Sequence, residues 1–173
     1  CPPDLPPPLR AQLAASAMVL RVHQDKTFAG AMVASLSVPW GNANDNPGGY
    51  HLVWPRDVVE SAGGLLALGA LPEARDILRY LIATQRDDGS WSQNQWLGGK
   101  PFWSGNQLDE AAFPVLLATA LDERGALEGI VVDAMVRRAL AYVVGTGPAT
   151  DQDRWEEDAG INAFTLATCI AAL

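Results

Sequence analysis

Hydrophobic residues recur at helical spacing in six segments of the chain. In the first segment Leu9, Leu13, Ala17 and Leu20 share one side, with polar residues on the others. Similar stripes predict further helices over about 58–69, 72–84, 109–121 and 127–144, while the first spans about 9–25. A sixth helix is expected to begin within the acidic cluster at 151–158 and to continue through the uncharged run to Leu173. The pattern therefore predicts an all-α protein.

The six predicted helices alternate between two types. The first, third and fifth are amphipathic, whereas the second, fourth and sixth carry almost no charge beyond their first turns. A helix that is apolar on all sides has to be buried, and an amphipathic helix has one face in water. The even-numbered helices are therefore expected to be inner and the odd-numbered ones outer, as in a toroid built from helical hairpins. Three hairpins complete only an arc of such a toroid.

The two ends of the chain suggest a larger protein. Residues 1–8 are rich in proline, which disfavours helix, so we expect a stiff linker there and a helical domain over 9–173. The chain begins at Cys1 without a methionine and stops at Leu173 inside an apolar run. We expect sequence to be missing at both ends.

Three tryptophans recur near the starts of the inner helices. Trp54, Trp103 and Trp155 follow one another at a period of roughly 50 residues, which suits a repeated two-helix unit. If these helix starts share one rim, the tryptophans and neighbouring acids line one basin, at the positive ends of the helix dipoles. Sugar rings stack on aromatic side chains, and their hydroxyls pair with two-pronged groups such as Arg56 and Asp57. A core role at a helix start is the alternative for any single tryptophan.

The acidic cluster supplies a candidate for glycosidic chemistry. Hydrolysis of a glycosidic bond needs a protonated carboxylic acid near the leaving oxygen and a second carboxylate. Glu156 is the candidate acid, because burial beside Trp155 and repulsion from Glu157 and Asp158 would favour its protonated form. The alternative is that these acids simply begin a helix. Asp109 and the glutamate after it have the same alternative, as caps of the fourth helix.

Composition excludes some classes of partner. The chain has 20 acidic and 12 basic residues and no basic run, which argues against nucleic acid and anionic membrane as partners and favours a neutral or cationic ligand. No cofactor motif is found, because Gly98-Gly99-Lys100 lacks the spacing of a phosphate loop. No metal site is expected, since Asn44-Asp45-Asn46 lacks the further acids of a calcium loop. Cys1 and Cys169 leave the compartment open, and we expect a secreted or cell-envelope protein rather than a cytoplasmic one.

Four sequence blocks resemble a known family. They are the run from Asp25 to Trp40-Gly41, the run from Gly48-Gly49-Tyr50 to Trp54-Pro55-Arg56-Asp57, the block from Trp103 to Glu110, and Asp153-Arg154-Trp155-Glu156-Glu157. In order and spacing they are similar to the glucoamylase and glucodextranase family of glycoside hydrolases, family fifteen in the usual classification. The bacterial glucodextranase-like branch resembles the chain most.

The resemblance implies a fold, an activity and residue roles. The fold would be an (α/α)6 toroid, of which about three of six hairpins are present, so that residues 9–173 form the N-terminal half of a catalytic domain. The activity would be inverting, exo-acting hydrolysis that releases β-D-glucose from the non-reducing ends of α-glucans or gluco-oligosaccharides. Glu156 would be the general acid. The substrate-binding residues would be Trp54, Arg56, Asp57, Trp103, Gln107, Asp109, Trp155 and Glu157.

The sequence departs from the family in one respect. The family's general base is a glutamate in a later hairpin, and no such block precedes Leu173. We therefore expect this polypeptide alone to hydrolyse little or nothing and to need the remainder of the catalytic domain as its partner. Alternative hypotheses are a non-catalytic sugar-binding remnant and a trehalase-like hydrolase of the same family. A purely structural helical repeat explains the clustered arginine and acids poorly.

Overall fold

The computed structural model describes residues 5–36 and 49–173, and regular structure in these ranges is helical. The helices are α1 (Pro7–Val22), α2 (Pro55–Ala67), α3 (Leu71–Thr84), α4 (Leu108–Asp122), α5 (Asp133–Thr146) and α6 (Ala163–Ala172). Extended segments within these ranges pair only through isolated bridges. The predicted all-α class is therefore confirmed. Cys1 and the Asn44-Asp45-Asn46 turn lie outside the described residues.

The helices are arranged in an inner and an outer layer. Helix α4 packs against α2 on one side and α6 on the other, so these three form the inner row. Helix α3 packs on α2 and α4, α5 packs on α4, and α1 packs on α2. Ten residues of α4 are buried and none of α1. The predicted alternation is confirmed, and the three hairpins form an arc of a toroid. None of the described helices has both the length and the apolar character needed to cross a membrane.

Prolines start several of these helices. Pro7 and Pro8 open α1, where the backbone N–H groups have no partner within the helix, so the missing proline N–H is tolerated. The expected linker over 1–8 is therefore wrong for its last two residues, and α1 begins two residues earlier than predicted. Pro55 opens α2 in the same way, with Trp54 directly before it.

Helix α5 begins later than the apolar pattern predicts. The chain turns at 127–130, where the N–H of Ile130 donates to the carbonyl of Leu127 at 2.8 Å. Gly129 adopts a φ of 72°, a left-handed conformation that interrupts a right-handed helix. The apolar residues before Asp133 therefore belong to a packed turn, and the helix starts only after it.

The acidic cluster does not begin α6, which corrects the expectation from the sequence. Thr150 and Gly160 exchange two backbone hydrogen bonds of 2.9 Å, so the residues between them form a closed loop. Helix α6 starts after this loop, where the side chain of Asn162 accepts from the N–H groups of Phe164 at 3.0 Å and Thr165 at 3.3 Å. The cap is a single asparagine oxygen and not the row of carboxylates.

Inside this loop the side chain of an aspartate stabilises a turn where the sequence predicted a helix. Oδ1 of Asp153 accepts from the N–H of Trp155 at 2.9 Å and from that of Glu157 at 3.1 Å. Aspartate favours such local turns because its short side chain reaches the following amides. These backbone hydrogen bonds, led by that from Glu157, lower the pKa of Asp153.

Candidate active site

One pocket of about 420 Å³ opens where the first turns of α2 and α6 meet the loop before α4. Its volume is within the range of roughly 300–1,000 Å³ that is usual for small-ligand sites. Six of the residues selected from the sequence line it: Trp54, Arg56, Asp57, Trp103, Trp155 and Glu156. The inner helix starts therefore do converge on one basin. Three segments that are far apart in sequence build this wall.

A hydrogen bond across the pocket joins an indole to the candidate acid. Nε1 of Trp54 donates to Oε1 of Glu156 at 3.2 Å. Trp54 is itself buried, and its ring meets that of Trp103 edge to face at a centroid distance of 5.9 Å. An indole N–H can only donate, so it orients the carboxyl group through one chosen oxygen. No hydrogen bond to Oε2 of Glu156 is found among residues 5–36 and 49–173, so this oxygen is the one that a ligand could use.

Glu156 has an unusual backbone conformation. Its φ is 67°, and among the described residues it is the one non-glycine residue with a positive φ. Residues with a side chain rarely adopt this region, and such strain of about 1–3 kcal/mol concentrates at functional sites. The strain supports a functional position for Glu156. A helix start, as the sequence predicted, would not produce it.

The expected burial of Glu156 beside Trp155 is wrong. Trp155 is 67% exposed, and Glu156 is only partly buried. The Asp153-centred turn places the Trp155 ring at the surface, where it stacks on the guanidinium of Arg154 at 4.9 Å. Trp155 therefore forms an outer wall of the pocket and leaves Glu156 partly exposed to water.

The side chain of Arg56 connects three segments beneath the pocket. Its Nη1 donates to Oε1 of Gln107 at 2.5 Å and to Oδ2 of Asp109 at 3.0 Å, and its Nη2 donates to the carbonyl of Arg154 at 3.3 Å. Burial alone would lower the pKa of Arg56, but the carboxylates of Glu110 and Asp109 outweigh it and raise the pKa. One side chain thus ties α2, α4 and the 150–160 loop together.

Three predicted substrate-binding residues do not line the pocket. Asp109 has no exposed surface, and Gln107 is buried. Both are used by Arg56, and Oδ1 of Asp109 also accepts from Oγ1 of Thr165 at 3.4 Å. They therefore hold Arg56 in position, and their expected contact with the substrate stays a prediction. Glu157 is exposed, and its role stays a prediction.

A buried carboxyl beside Arg56 was not selected from the sequence. Glu110 is 1% exposed and lies 3.9 Å from Nη1 of Arg56, and within the described part of the chain neither of its oxygens has a hydrogen-bond partner. Burial raises the pKa of Glu110 well above its usual value, Arg56 opposes this, and Asp109 and Asp57 add to it. The acid after Asp109 resembles a helix cap in the sequence, so only its tertiary environment distinguishes it.

Asp57 and Arg154 complete the electrostatics of the pocket. Desolvation raises the pKa of Asp57, Arg56 opposes this, and Glu156 adds to it, although the side chain keeps an exposed face. Arg154 lines the pocket with its guanidinium 4.7 Å from the ring of Phe164. Sequence reasoning missed Arg154 as a site residue, although it directly precedes Trp155. In the described ranges no group of three His, Cys, Asp or Glu is placed to hold a metal ion.

Comparison with known proteins identifies the family. The sequence model described as glycosyl hydrolases family 15 matches residues 8–88 and 84–173, which together are most of the chain. The chain belongs to glycosyl hydrolase family 15. The resemblance read from the tryptophan and acid blocks is thereby confirmed.

Two curated relatives and one solved structure place this family 15 chain more closely. A glucoamylase from Clostridium sp. (strain G0005) is 41% identical over 160 residues, which are 91% of this chain and 22% of the relative. An uncharacterised glycosyl hydrolase from Methanocaldococcus jannaschii is 28% identical over 131 residues, 72% of this chain and 21% of the relative. A crystal structure of a bacterial glucoamylase complexed with acarbose superposes with a TM-score of 0.83 at 41% identity, covering 92% of this chain and 23% of that one.

The family 15 chain thus spans about a fifth of the length of the relatives it matches. The superposition agrees with the arc of an (α/α)6 toroid. Two of these three relatives are named as glucoamylases and none as a glucodextranase, so the expected likeness to the glucodextranase branch has less direct support.

Proposed function

We propose that this chain forms part of the active site of an exo-acting, inverting α-glucoside hydrolase that releases β-D-glucose from the non-reducing ends of α-glucans. The observation that carries the proposal is Glu156, held in a left-handed conformation by its loop and bonded through Oε1 to Trp54 in a pocket with Arg56 and Asp57. The names of two relatives support the glucoamylase type. We take α-1,4-linked glucans as the substrates of this proposal.

In the proposed reaction Glu156 acts as the general acid. The Trp54 indole occupies Oε1, so Oε2 carries the proton and delivers it to the glycosidic oxygen as the bond to the anomeric carbon breaks. Partial exposure lets the group regain a proton from solvent after each turnover. The leaving sugar departs as an alcohol.

Arg56 and Asp57 bind the terminal glucose in this proposal. Arg56 has five N–H donors in a fixed fork, and those not used by Gln107, Asp109 and the Arg154 carbonyl are available to sugar hydroxyls. The transition state resembles an oxocarbenium ion, and the carboxylates of the pocket favour that positive charge. Trp103 provides an apolar wall for the ring face.

The second carboxylate of an inverting enzyme has to stand about 6.5–9.5 Å from the acid, with the attacking water between them. The family resemblance assigns this base to a later hairpin than those of residues 9–173. We therefore propose that the base lies outside this chain and that the isolated polypeptide releases little or no glucose.

The test is glucose release from maltose by the polypeptide encoded by the complete reading frame that contains this chain. Glu156→Gln preserves size and the acceptor for Trp54 but removes the proton, so we expect kcat to fall by about 10²- to 10⁴-fold. Glu128→Gln, the same change at an exposed and remote site, should leave kcat unchanged. Turnover of the Glu156→Gln variant at the parental rate would refute the assignment. Binding of maltose without turnover by the parent, or cleavage of trehalose in its place, would refute the proposed reaction.

A further inference from the structure

Glu110 is a buried carboxyl group that the proposed reaction does not use. It belongs to the first turn of α4, is 1% exposed and does not line the pocket. No group in the described ranges donates a hydrogen bond to either of its oxygens. Because burying a polar group without partners costs free energy, Glu110 is a candidate for a functional role.

Glu110 faces a guanidinium nitrogen whose hydrogens are already used. Nη1 of Arg56 carries two hydrogens, which are accepted by Oε1 of Gln107 at 2.5 Å and by Oδ2 of Asp109 at 3.0 Å. Oε1 of Glu110 lies 3.9 Å from the same nitrogen, which is beyond hydrogen-bond distance. Glu110 can therefore gain a hydrogen bond from Nη1 only by taking one away from Gln107 or Asp109.

The charge of Glu110 decides whether it competes for Arg56. A neutral acid attracts the guanidinium weakly, so Arg56 keeps both of its partners. A carboxylate forms stronger hydrogen bonds with a guanidinium than an amide oxygen does, so an ionised Glu110 would displace Gln107. Because the guanidinium is planar and rigid, a shift of Nη1 turns the whole fork. The charge of Glu110 is thereby coupled to the orientation of Arg56.

Charged groups from three elements act on Glu110, and they are Arg56 and Asp57 of α2, Asp109 of α4 and Glu156 of the 150–160 loop. Burial has the largest effect and raises the pKa of Glu110, Arg56 opposes it, and the three acids add to it. Helix α6 adds the thiol of Cys169 near Asp109, which stays neutral because burial raises its pKa to about 11. Glu110 therefore ionises at higher pH than an exposed glutamate.

The other nitrogen of the fork serves the pocket. Nη2 of Arg56 donates to the carbonyl of Arg154 at 3.3 Å, and Arg56 lines the pocket beside Asp57. In the proposed function the donors that remain on this side bind the hydroxyls of the terminal glucose. A turn of the fork towards Glu110 would move these donors away from the sugar. Sugar binding should therefore weaken when Glu110 loses its proton.

We propose that Glu110 is a positioning residue, which in its protonated form leaves Arg56 bonded to Gln107 and Asp109 and, once ionised, turns Arg56 away from the glucose. This inference rests on the proposed function, because it takes Arg56 as a residue that binds the terminal glucose. The affinity of the pocket for a neutral sugar then falls as the pH rises through the ionisation of Glu110.

The experiment measures the Kd of maltose by calorimetry from pH 5 to pH 8 in the complete polypeptide carrying Glu156→Gln. This change prevents turnover and removes the titration of the general acid, and Glu156 contributes least among the acids that act on Glu110. The reference is the same polypeptide with Glu110→Gln added, which resembles the protonated form at every pH. The Kd relative to this reference should be about equal at pH 5 and roughly three- to tenfold higher at pH 8, as expected for losing one net hydrogen bond.

Glu110→Met provides an independent variant, since its side chain has a similar length and no charge at any pH. Its Kd should follow the pH dependence of the Glu110→Gln reference, even where its affinity is uniformly lower. Both proteins keep Asp57, so a titration of that residue cancels in the comparison. The control Glu128→Gln changes an exposed glutamate and should leave the pH dependence of the Kd unchanged.

A Kd ratio that stays constant or falls from pH 5 to pH 8 would overturn the inference. A Glu110→Met variant that retains the full pH dependence seen with Glu110 would overturn it as well. Failure of the proposed function is a separate result, seen as absence of glucose release from maltose by the polypeptide with Glu156 intact. Absence of maltose binding at every pH would overturn both proposals.

Discussion

At the scale of single residues, Arg56 is surrounded by more carboxyl groups than its single positive charge can neutralise. Arg56 forms its short ion pair with Asp109 at 3.0 Å, whereas Glu110 lies 3.9 Å away and has no hydrogen bond to either oxygen from the residues that the structure describes. The other acids that act on Glu110 are Asp57 and Glu156. Burial disfavours an ionised carboxylate here, and Arg56 at 3.9 Å offsets this only in part, because the pKa of Glu110 stays raised. We therefore expect Glu110 to keep its proton to higher pH in the folded protein than in the unfolded chain.

This proton makes stability depend on pH. The pKa of Glu110 is raised in the folded state, so its contribution is fully present below its unfolded value of about 4.3 and is lost as pH rises towards the folded value. Glu110→Gln resembles the protonated form and removes this loss. We expect the thermal midpoint of the variant to exceed that of the parent by an amount that grows from pH 5 to pH 8. Melting curves of the complete polypeptide across that range are the measurement.

The matched control is Glu128→Gln, since Glu128 is exposed and should give a midpoint that follows the parent at every pH. A midpoint difference that stays constant from pH 5 to pH 8, whether zero, positive or negative, would show that folding does not raise the pKa of Glu110.

At the scale of elements, the helices and the loops differ in what determines them. The apolar periodicity of α2, α3 and α4 predicts their boundaries to within about three residues, because each buries one or more faces against its neighbours. The 150–160 loop does not adopt the helical structure that its local composition predicts. Its acids favour a helix start, but Asp153 binds the backbone N–H groups of Trp155 and Glu157 and the Thr150–Gly160 pair closes the ends.

The start of α6 offers a direct test of this difference. Asn162 caps the helix through the N–H groups of Phe164 and Thr165, so Asn162→Ala should lower the free energy of unfolding by about 1 kcal/mol. Asp158→Ala changes an exposed residue of the loop and should alter it by less than about 0.5 kcal/mol. Chemical denaturation of the complete polypeptide measures both. A larger loss of unfolding free energy in Asp158→Ala than in Asn162→Ala would indicate that the acidic cluster, and not Asn162, caps α6.

At the scale of the whole molecule, the arc of hairpins brings together residues about fifty positions apart. The recurring tryptophans and the alternation of amphipathic and apolar helices predicted this arc, and six of nine chosen residues line one pocket. The partners of Arg56 and the burial of Glu110 beside it could not be predicted, because both result from contacts between distant segments. The left-handed Glu156 was missed because its acidic neighbours resemble a helix start. The hydrophobic pattern shows which face of a helix is buried, but it does not show which side chains of two helices contact each other.

The central claim is that the pocket at the inner helix starts binds the non-reducing end of an α-glucan. It is tested most directly by a crystal structure of the complete polypeptide, carrying Glu156→Gln, with maltoheptaose bound. The account predicts the terminal glucose on Arg56 and Asp57, the first glycosidic oxygen within hydrogen-bond distance of residue 156, and a sugar ring beside Trp103. Sugar bound elsewhere, with Arg56 and Asp57 free of it, would contradict the account.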